Sequence, residues 1–178
     1  MAIKATIFKA TIQIADMNRN YYAEHNLTIA RHPSETDRRM MLRVLAFCVN
    51  AHDDLNFTKG ISTDDAPDLW QHNLTWEITH WIELGLPDER RIRKACSRSE
   101  KTTFYTYNRK SFDVWWQQIQ SKLKRFNNLS LFNITDEALE SLEALPQRTM
   151  QLQCTIQDGD IWLSDTDQSV HIELQNLL

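Results

Sequence analysis

The chain has 178 residues, 42% hydrophobic and 25% charged, with 20 Lys and Arg against 24 Asp and Glu for a net charge of −4. That balance predicts one soluble globular domain over residues 1–178 with room for a sizeable core, and it excludes a protein that grips nucleic acid by bulk positive charge. No apolar run approaches the ~20 residues that cross a bilayer, and Met1-Ala2-Ile3-Lys4 lacks a signal-peptide core, so a cytoplasmic protein without a membrane anchor is expected.

Residues 3–14 alternate loosely and predict a strand; a turn follows at Asp16-Met17-Asn18, and a second strand over 20–31 returns as a hairpin. Pro33-Ser34 before Glu35, Thr36 and Asp37 marks a helix start with Ser34 as N-cap. Met40, Met41, Val44, Leu45, Phe47 and Cys48 carry the apolar face of that helix to about His52. A short strand is expected over 55–61 and a loop at Asp64-Asp65-Ala66-Pro67. Strong alternation over 74–84 sets Trp76, Ile78, His80, Ile82 and Leu84 against Glu77, Thr79, Trp81 and Glu83.

Gly85-Leu86-Pro87-Asp88 ends that strand and opens a helix over 88–99, with proline in its first turn. Beyond it come a strand at Phe104–Tyr107, a helix over 111–126, a strand over 129–134 and a short helix over 136–145. Three strands close the chain at 149–157, 160–165 and 169–174, with a tight Asp158-Gly159 turn. The strand-helix alternation in the middle predicts an α/β fold, a mixed central β-sheet with parallel crossovers flanked by helices. The N-terminal hairpin and the C-terminal antiparallel strands are additions to it. Cys48, Cys96 and Cys154 are odd in number and far apart, which predicts reduced, mostly buried thiols.

One stretch carries chemistry. Asp68 follows Pro67, Glu83 lies fifteen residues on, and Lys94 falls on the next helix. Two carboxylates beside an ammonium group are the parts needed to hold one hard divalent cation, magnesium or manganese, next to a phosphodiester. Arg91, Lys94 and Arg98 recur at i, i+3, i+7 and form a basic stripe suited to phosphate contacts. Each group also has a plain reading: a solvated loop aspartate, a surface glutamate, a helix face paired internally as Glu89–Arg93. Glu35 reads locally as a helix-start acid, and His80, on the apolar strand face, as a core histidine.

The segments Ala5-Thr6-Ile7, Arg31-His32-Pro33-Ser34-Glu35-Thr36, Phe57-Thr58-Lys59-Gly60, Pro67-Asp68-Leu69-Trp70, Trp81-Ile82-Glu83-Leu84-Gly85-Leu86-Pro87-Asp88 and Met150-Gln151-Leu152-Gln153-Cys154-Thr155-Ile156-Gln157-Asp158-Gly159 resemble the bacterial YaeQ family over nearly the whole chain. The resemblance implies a restriction-endonuclease-like, PD-(D/E)XK core. Carried over position by position, Asp68 would be the aspartate of the "PD" element, Glu83 the acid of the next strand and Glu35 the helix-borne acid. Asp68, Glu83 and Glu35 would then be the metal ligands. The pattern expects a lysine two residues after the second acid, and Gly85 stands there. By the resemblance Lys94 would be the migrated replacement and Arg91 the other candidate, with Arg91 and Arg98 on substrate. The function implied is metal-dependent hydrolysis of nucleic acid; the alternative is an inactive module that binds nucleic acid or a protein partner.

Overall fold

The structure, a computed structural model, describes residues 4–59, 65–107 and 109–178. Strands β1 (Thr6–Asp16) and β2 (Tyr21–Arg31) pair antiparallel over their whole length. Phe8, Ala10, Ile12 and Ile14 turn to one side and are buried, as a period of two requires. Asp16 closes the hairpin by accepting from the Asn18 and Arg19 amides, each at 3.1 Å.

Helix α1 (Asp37–Val49) begins later than predicted. Its N-cap is Thr36, whose hydroxyl accepts from the Arg39 amide at 3.1 Å, while Ser34 belongs to the preceding turn and bonds His32 Nδ1 at 2.6 Å. The helix stops at Val49, short of His52, with Asn50 as cap. Every residue from Met40 to Cys48 is buried, because α1 lies between two sheets and not on the surface.

The middle of the chain supplies β3 (Leu55–Phe57), β4 (Leu69–His72), β5 (Ile78–Leu84), α2 (Glu89–Arg98), β6 (Ser99–Thr106), α3 (Arg109–Leu123) and β7 (Leu129–Asn133). Strands β5, β6 and β7 run parallel with α2 and α3 as crossovers, as predicted, and β3 and β4 add antiparallel at one edge. Helix α4 (Asp136–Leu142), capped by Thr135, leads to β8 (Thr149–Gln157), β9 (Asp160–Ser164), β10 (Ser169–Glu173) and a short β11 (Gln175–Asn176). The strand expected over 55–61 ends at Phe57, and its residues 60 and 61 lie outside the described residues. Asp158 and Gly159 both have positive φ, 51° and 90°, the backbone of a two-residue hairpin turn.

The hairpin and the C-terminal strands do not stand apart. Strand β8 runs parallel to β1, so they make one five-stranded sheet in the order β10-β9-β8-β1-β2. The second sheet has the order β11-β7-β6-β5-β4-β3. The inner face of the first sheet, α1, α4 and one face of the second sheet share the main core. The other face of the second sheet packs against α2 and α3 around Trp81, Phe104, Ile92 and Ile119. The second sheet is therefore covered on both sides, and polar groups on its central strands must find partners. His80 does so: it is 7% exposed, bonds the Thr103 hydroxyl at 2.8 Å, and burial pushes its pKa down to about 3, leaving it neutral.

Candidate functional site

Strands β4 and β5 pair with Leu69 opposite Ile82, and Asp68, one residue before β4, continues that register toward Glu83 just past the end of the ladder. Asp68 is buried. Its Oδ2 accepts from the Leu84 amide at 2.8 Å, prolonging the strand pairing with a side chain, and its Oδ1 accepts from Arg39 Nη2 at 2.9 Å. Glu83 points to the α2 side with Trp81. Arg91 Nε lies 2.9 and 3.0 Å from its two oxygens, and Trp81 Nε1 donates to Oε2 at 2.9 Å. Burial pushes the Glu83 carboxyl up; the Trp81 and Arg91 hydrogen bonds pull it back, and the Asp68 charge raises it again.

Glu35 is not the solvated helix-start acid that local physics suggests. It sits one residue before the N-cap with its side chain 1% exposed, and Arg43, 2% exposed, holds both its oxygens at 2.5 and 3.0 Å. Arg39 Nη1 adds a third bond to Glu35 Oε2 at 2.8 Å. Arg39 thus bridges Glu35 and Asp68 from the first turn of α1. Burial works against its charge, and Asp68, Tyr107 and Glu35 together more than offset that, so its pKa is raised. Tyr107 is the neighbouring group: burial pushes its hydroxyl up, Arg39 pulls it down, and Asp68 and Glu35 raise it further.

The structure sets Asp68 near enough to Glu83 for its charge to act on the Glu83 carboxyl, and Arg39 joins Glu35 to Asp68. Lys94 lies one step out. Its Nζ donates to Asp65 Oδ1 at 2.8 Å, and Arg98 Nη1 donates to the Asp65 carbonyl at 3.2 Å. The cation on Glu83 is Arg91, which also donates from Nη2 to the Ala66 carbonyl at 3.0 Å. Arg91 and Arg98 lie 5.3 and 5.7 Å from the centre of the Trp81 ring, so the basic stripe of α2 packs over aromatic carbon.

Asp68 and Glu83 fit a hard divalent cation by donor chemistry, as one carboxylate just before β4 and one on β5. Each of their four oxygens already accepts a hydrogen bond, so an ion would compete with Arg39 and Arg91. Glu35 does not fit, because both its oxygens are committed to Arg43. Among the described residues, the group of three side chains with ligand atoms within 4.8 Å of one another is a different one, Asp160, His171 and Glu173 on the outer face of the first sheet.

Gly85 has a backbone reason. Its φ is +122°, and its amide donates to the Tyr105 carbonyl at 3.0 Å where β5 ends. A Cβ there would meet nothing within 4 Å, so the barrier to a lysine is conformational and not steric. Gly85→Lys is expected to destabilise the protein by about 1–3 kcal/mol, measured as a shift of the urea midpoint at unchanged m-value; a neutral result would overturn this account.

Sequence reasoning missed Arg39, Arg43 and Tyr107. For the arginines a signal existed: two strong cations, four apart, on a helix whose other faces are apolar from Met40 to Cys48. A charge inside such a run needs a buried counter-charge, and Glu35 is four and eight residues upstream. Tyr107 carries no local signal, since it joins the cluster only through the return of β6.

Fold and site together define a two-sheet mixed α/β protein whose paired strand acids are closed by arginines. The family model described as "YaeQ protein" matches residues 1–174, and the chain belongs to the YaeQ family. It is 51% identical to the uncharacterised protein YaeQ of Escherichia coli K12 over 174 residues, 98% of this chain and 96% of that one. The crystal structure of the Xanthomonas axonopodis pv. citri YaeQ protein aligns with a TM-score of 0.94 at 43% identity, covering 97% and 98% of the two chains. That of the Pseudomonas syringae protein aligns at 0.93 and 32% identity, covering 98% and 96%. No helix among the described residues is long and apolar enough to cross a membrane.

Proposed function

We propose that this protein is a metal-dependent, nuclease-like hydrolase of nucleic acid phosphodiesters with its centre at Asp68 and Glu83. The observation that supports the reading is the register of β4 on β5, which carried one residue past Leu69–Ile82 puts Asp68 across from Glu83, with Arg39 held against the first acid and Arg91 against the second. The order of β4, β5, α2 and β6 is compatible with a PD-(D/E)XK core. Asp68 and Glu83 would hold one magnesium or manganese ion, which when bound polarises a phosphoryl oxygen and activates a water.

The chain's own residues do the rest. Arg39 and Arg91, drawn off the acids, take phosphate oxygens in bidentate fashion. Glu35, anchored by Arg43, keeps Arg39 at the correct height. Lys94 offsets charge that develops on the scissile group, and Arg98 contacts the neighbouring phosphate. We place this chemistry in the cytoplasm, where Cys48, Cys96 and Cys154 stay as free thiols.

The experiment is hydrolysis of generic DNA and RNA with magnesium or manganese, comparing wild type with Asp68→Ala, Glu83→Ala and Lys94→Ala. Loss of at least about 100-fold in rate is expected for the first two, the scale of removing one electrostatic group from an active site. Activity surviving all three substitutions would sink the assignment. A second reading, an inactive nuclease-fold module that binds nucleic acid or a protein, is favoured by the hydrogen bonds that occupy every oxygen of Asp68, Glu83 and Glu35. Calorimetric titration that finds neither magnesium nor manganese bound, together with no hydrolysis, selects it.

A further inference from the structure

Residues 74–77, expected to begin the strand over 74–84, instead form with Asn73 a stiff loop with an apolar tip. Asn73 holds the loop from inside: its Oδ1 accepts from the Thr75 amide at 3.0 Å, from the Thr75 hydroxyl at 2.9 Å and from the Glu77 amide at 3.0 Å. Its Nδ2 donates to Glu77 Oε2 at 2.7 Å, and the Trp76 amide donates to the Asn73 carbonyl at 3.1 Å. At the tip Leu74 is 101% and Trp76 81% exposed. Trp76 also has φ +64°, left-handed backbone that an aromatic residue seldom adopts. A loop tied this tightly cannot fold its tryptophan back onto the core. The cost of exposing the ring is built in.

Trp76 is the last ring of a row. His72 lies 5.4 Å from it, centre to centre, and Trp70 lies 4.8 Å from His72. Trp70 and His72 are successive alternate residues of β4 beyond Asp68, so the row starts beside the acid pair and runs out to the loop. The register of the sheet places a second row alongside. Trp70 is opposite Trp81, over which Arg91 and Arg98 lie. Arg91 is bonded to Glu83 near the end of β5, whereas Ser99, next to Arg98, pairs with Ile78 at its start. Helix α2 therefore runs alongside the aromatic row. It carries Arg90, Arg91, Arg93, Lys94 and Arg98 against the single acid Glu89, in a chain that is acidic overall.

The rings meet edge to face, at 78° and 61°, with Trp76 outermost; exposed aromatic rings on which bases can stack, beside cations that follow a backbone, are what a single strand needs and a duplex does not. We infer that Trp70, His72 and Trp76 form a stacking track for single-stranded nucleic acid leading to Asp68 and Glu83. This names the substrate class of the site proposed above and rests on that reading for its direction, but its test does not depend on hydrolysis.

The full-length protein is titrated, in EDTA and at low salt, into a fluorescein-labelled oligo(dT) of twenty nucleotides, its RNA counterpart and a duplex of equal length, with anisotropy as the readout. Wild type is expected to bind the single strands at least about ten-fold tighter than the duplex, and Trp76→Ala to weaken single-strand binding by about ten-fold, the scale of one lost base stack. Trp76→Phe should restore most of that loss. Trp76 takes no part in the core, so Trp76→Ala should keep the wild-type circular dichroism spectrum and thermal midpoint. Equal affinity of wild type and Trp76→Ala, or preference for duplex, would each overturn the inference. If single strands bind in a Trp76-dependent way while nothing is hydrolysed with magnesium or manganese, the track stands and the hydrolase reading fails.

Discussion

Glu35→Ala is expected to destabilise the protein by about 3–5 kcal/mol, enough to unfold a protein of ordinary stability at moderate temperature. The reason is not the lost attraction alone. Arg43 is held by Glu35 at both oxygens, by the Ala30 carbonyl at 3.0 Å, and over the Phe57 ring at 5.6 Å, and its side chain is 2% exposed. Removing the carboxylate leaves a guanidinium buried with one neutral acceptor, and neither water nor movement of a packed central helix can replace the partner. Arg39 loses one of its two acids at the same time. Glu35→Gln keeps two lone pairs facing Arg43 and should cost less. The double substitution Glu35→Leu with Arg43→Met removes both charges and should recover much of the loss, since an apolar pair of similar volume does not need desolvating. Urea unfolding of the four proteins tests this; a Glu35→Ala midpoint within error of wild type would show that the pair carries no structural load.

Much of the fold was legible because period and punctuation agree in those segments. The β1–β2 hairpin, the β5–α2–β6–α3–β7 alternation and the C-terminal strands all follow from spacing of apolar residues and from turns such as Asp158-Gly159. The misplacements have local causes. Ser34 and Thr36 both suit an N-cap, and the sequence does not show which amide, that of Arg39 or an earlier one, will be free to use it. Trp76 matched the alternation of β5 but lies in the Asn73 loop, because apolar character alone cannot distinguish a core ring from one held out in solvent. Pairing of β1 with β8 joins segments more than 130 residues apart, and no local pattern reports it.

In the candidate site, Asp68 and Glu83 were legible as a pair from their motif, and the register of β4 on β5 leads Asp68 toward Glu83. What periodicity could not supply was the counter-charge. A helix wheel treats Arg39 and Arg43 as interruptions of an apolar face; the β2–α1 connection brings Glu35 to both of them, and the approach to β4 brings Asp68 to Arg39. Lys94 was placed by analogy of charge and spacing, whereas the side chain on Glu83 is Arg91, one turn earlier, because that turn lies over the end of β5.

Arg39→Ala is expected to do two opposite things. Without divalent cations it should lose about 2–3 kcal/mol, somewhat less than full rupture of a buried pair because the Arg39 side chain is 16% exposed and Asp68 retains the Leu84 amide. With manganese it should regain stability. The substitution empties the position on Asp68 Oδ1 without touching either acid, so a cation that competes poorly with a tethered guanidinium in the wild type meets an unsatisfied carboxylate in the variant. Binding to the folded state alone stabilises by about 2.7 kcal/mol at a hundred-fold excess over Kd, which would cancel most of the loss. The measurement is the thermal midpoint of both proteins across a manganese titration, with Asp68→Asn added to Arg39→Ala as a control that should abolish the response. A rise in the variant well beyond any in wild type identifies Asp68 and Glu83 as a cation site held shut by arginine. A flat titration in both would identify the arginines as permanent occupants and move the protein to the module reading, since the competition between guanidinium and metal on Asp68 is the step at which the two functions part.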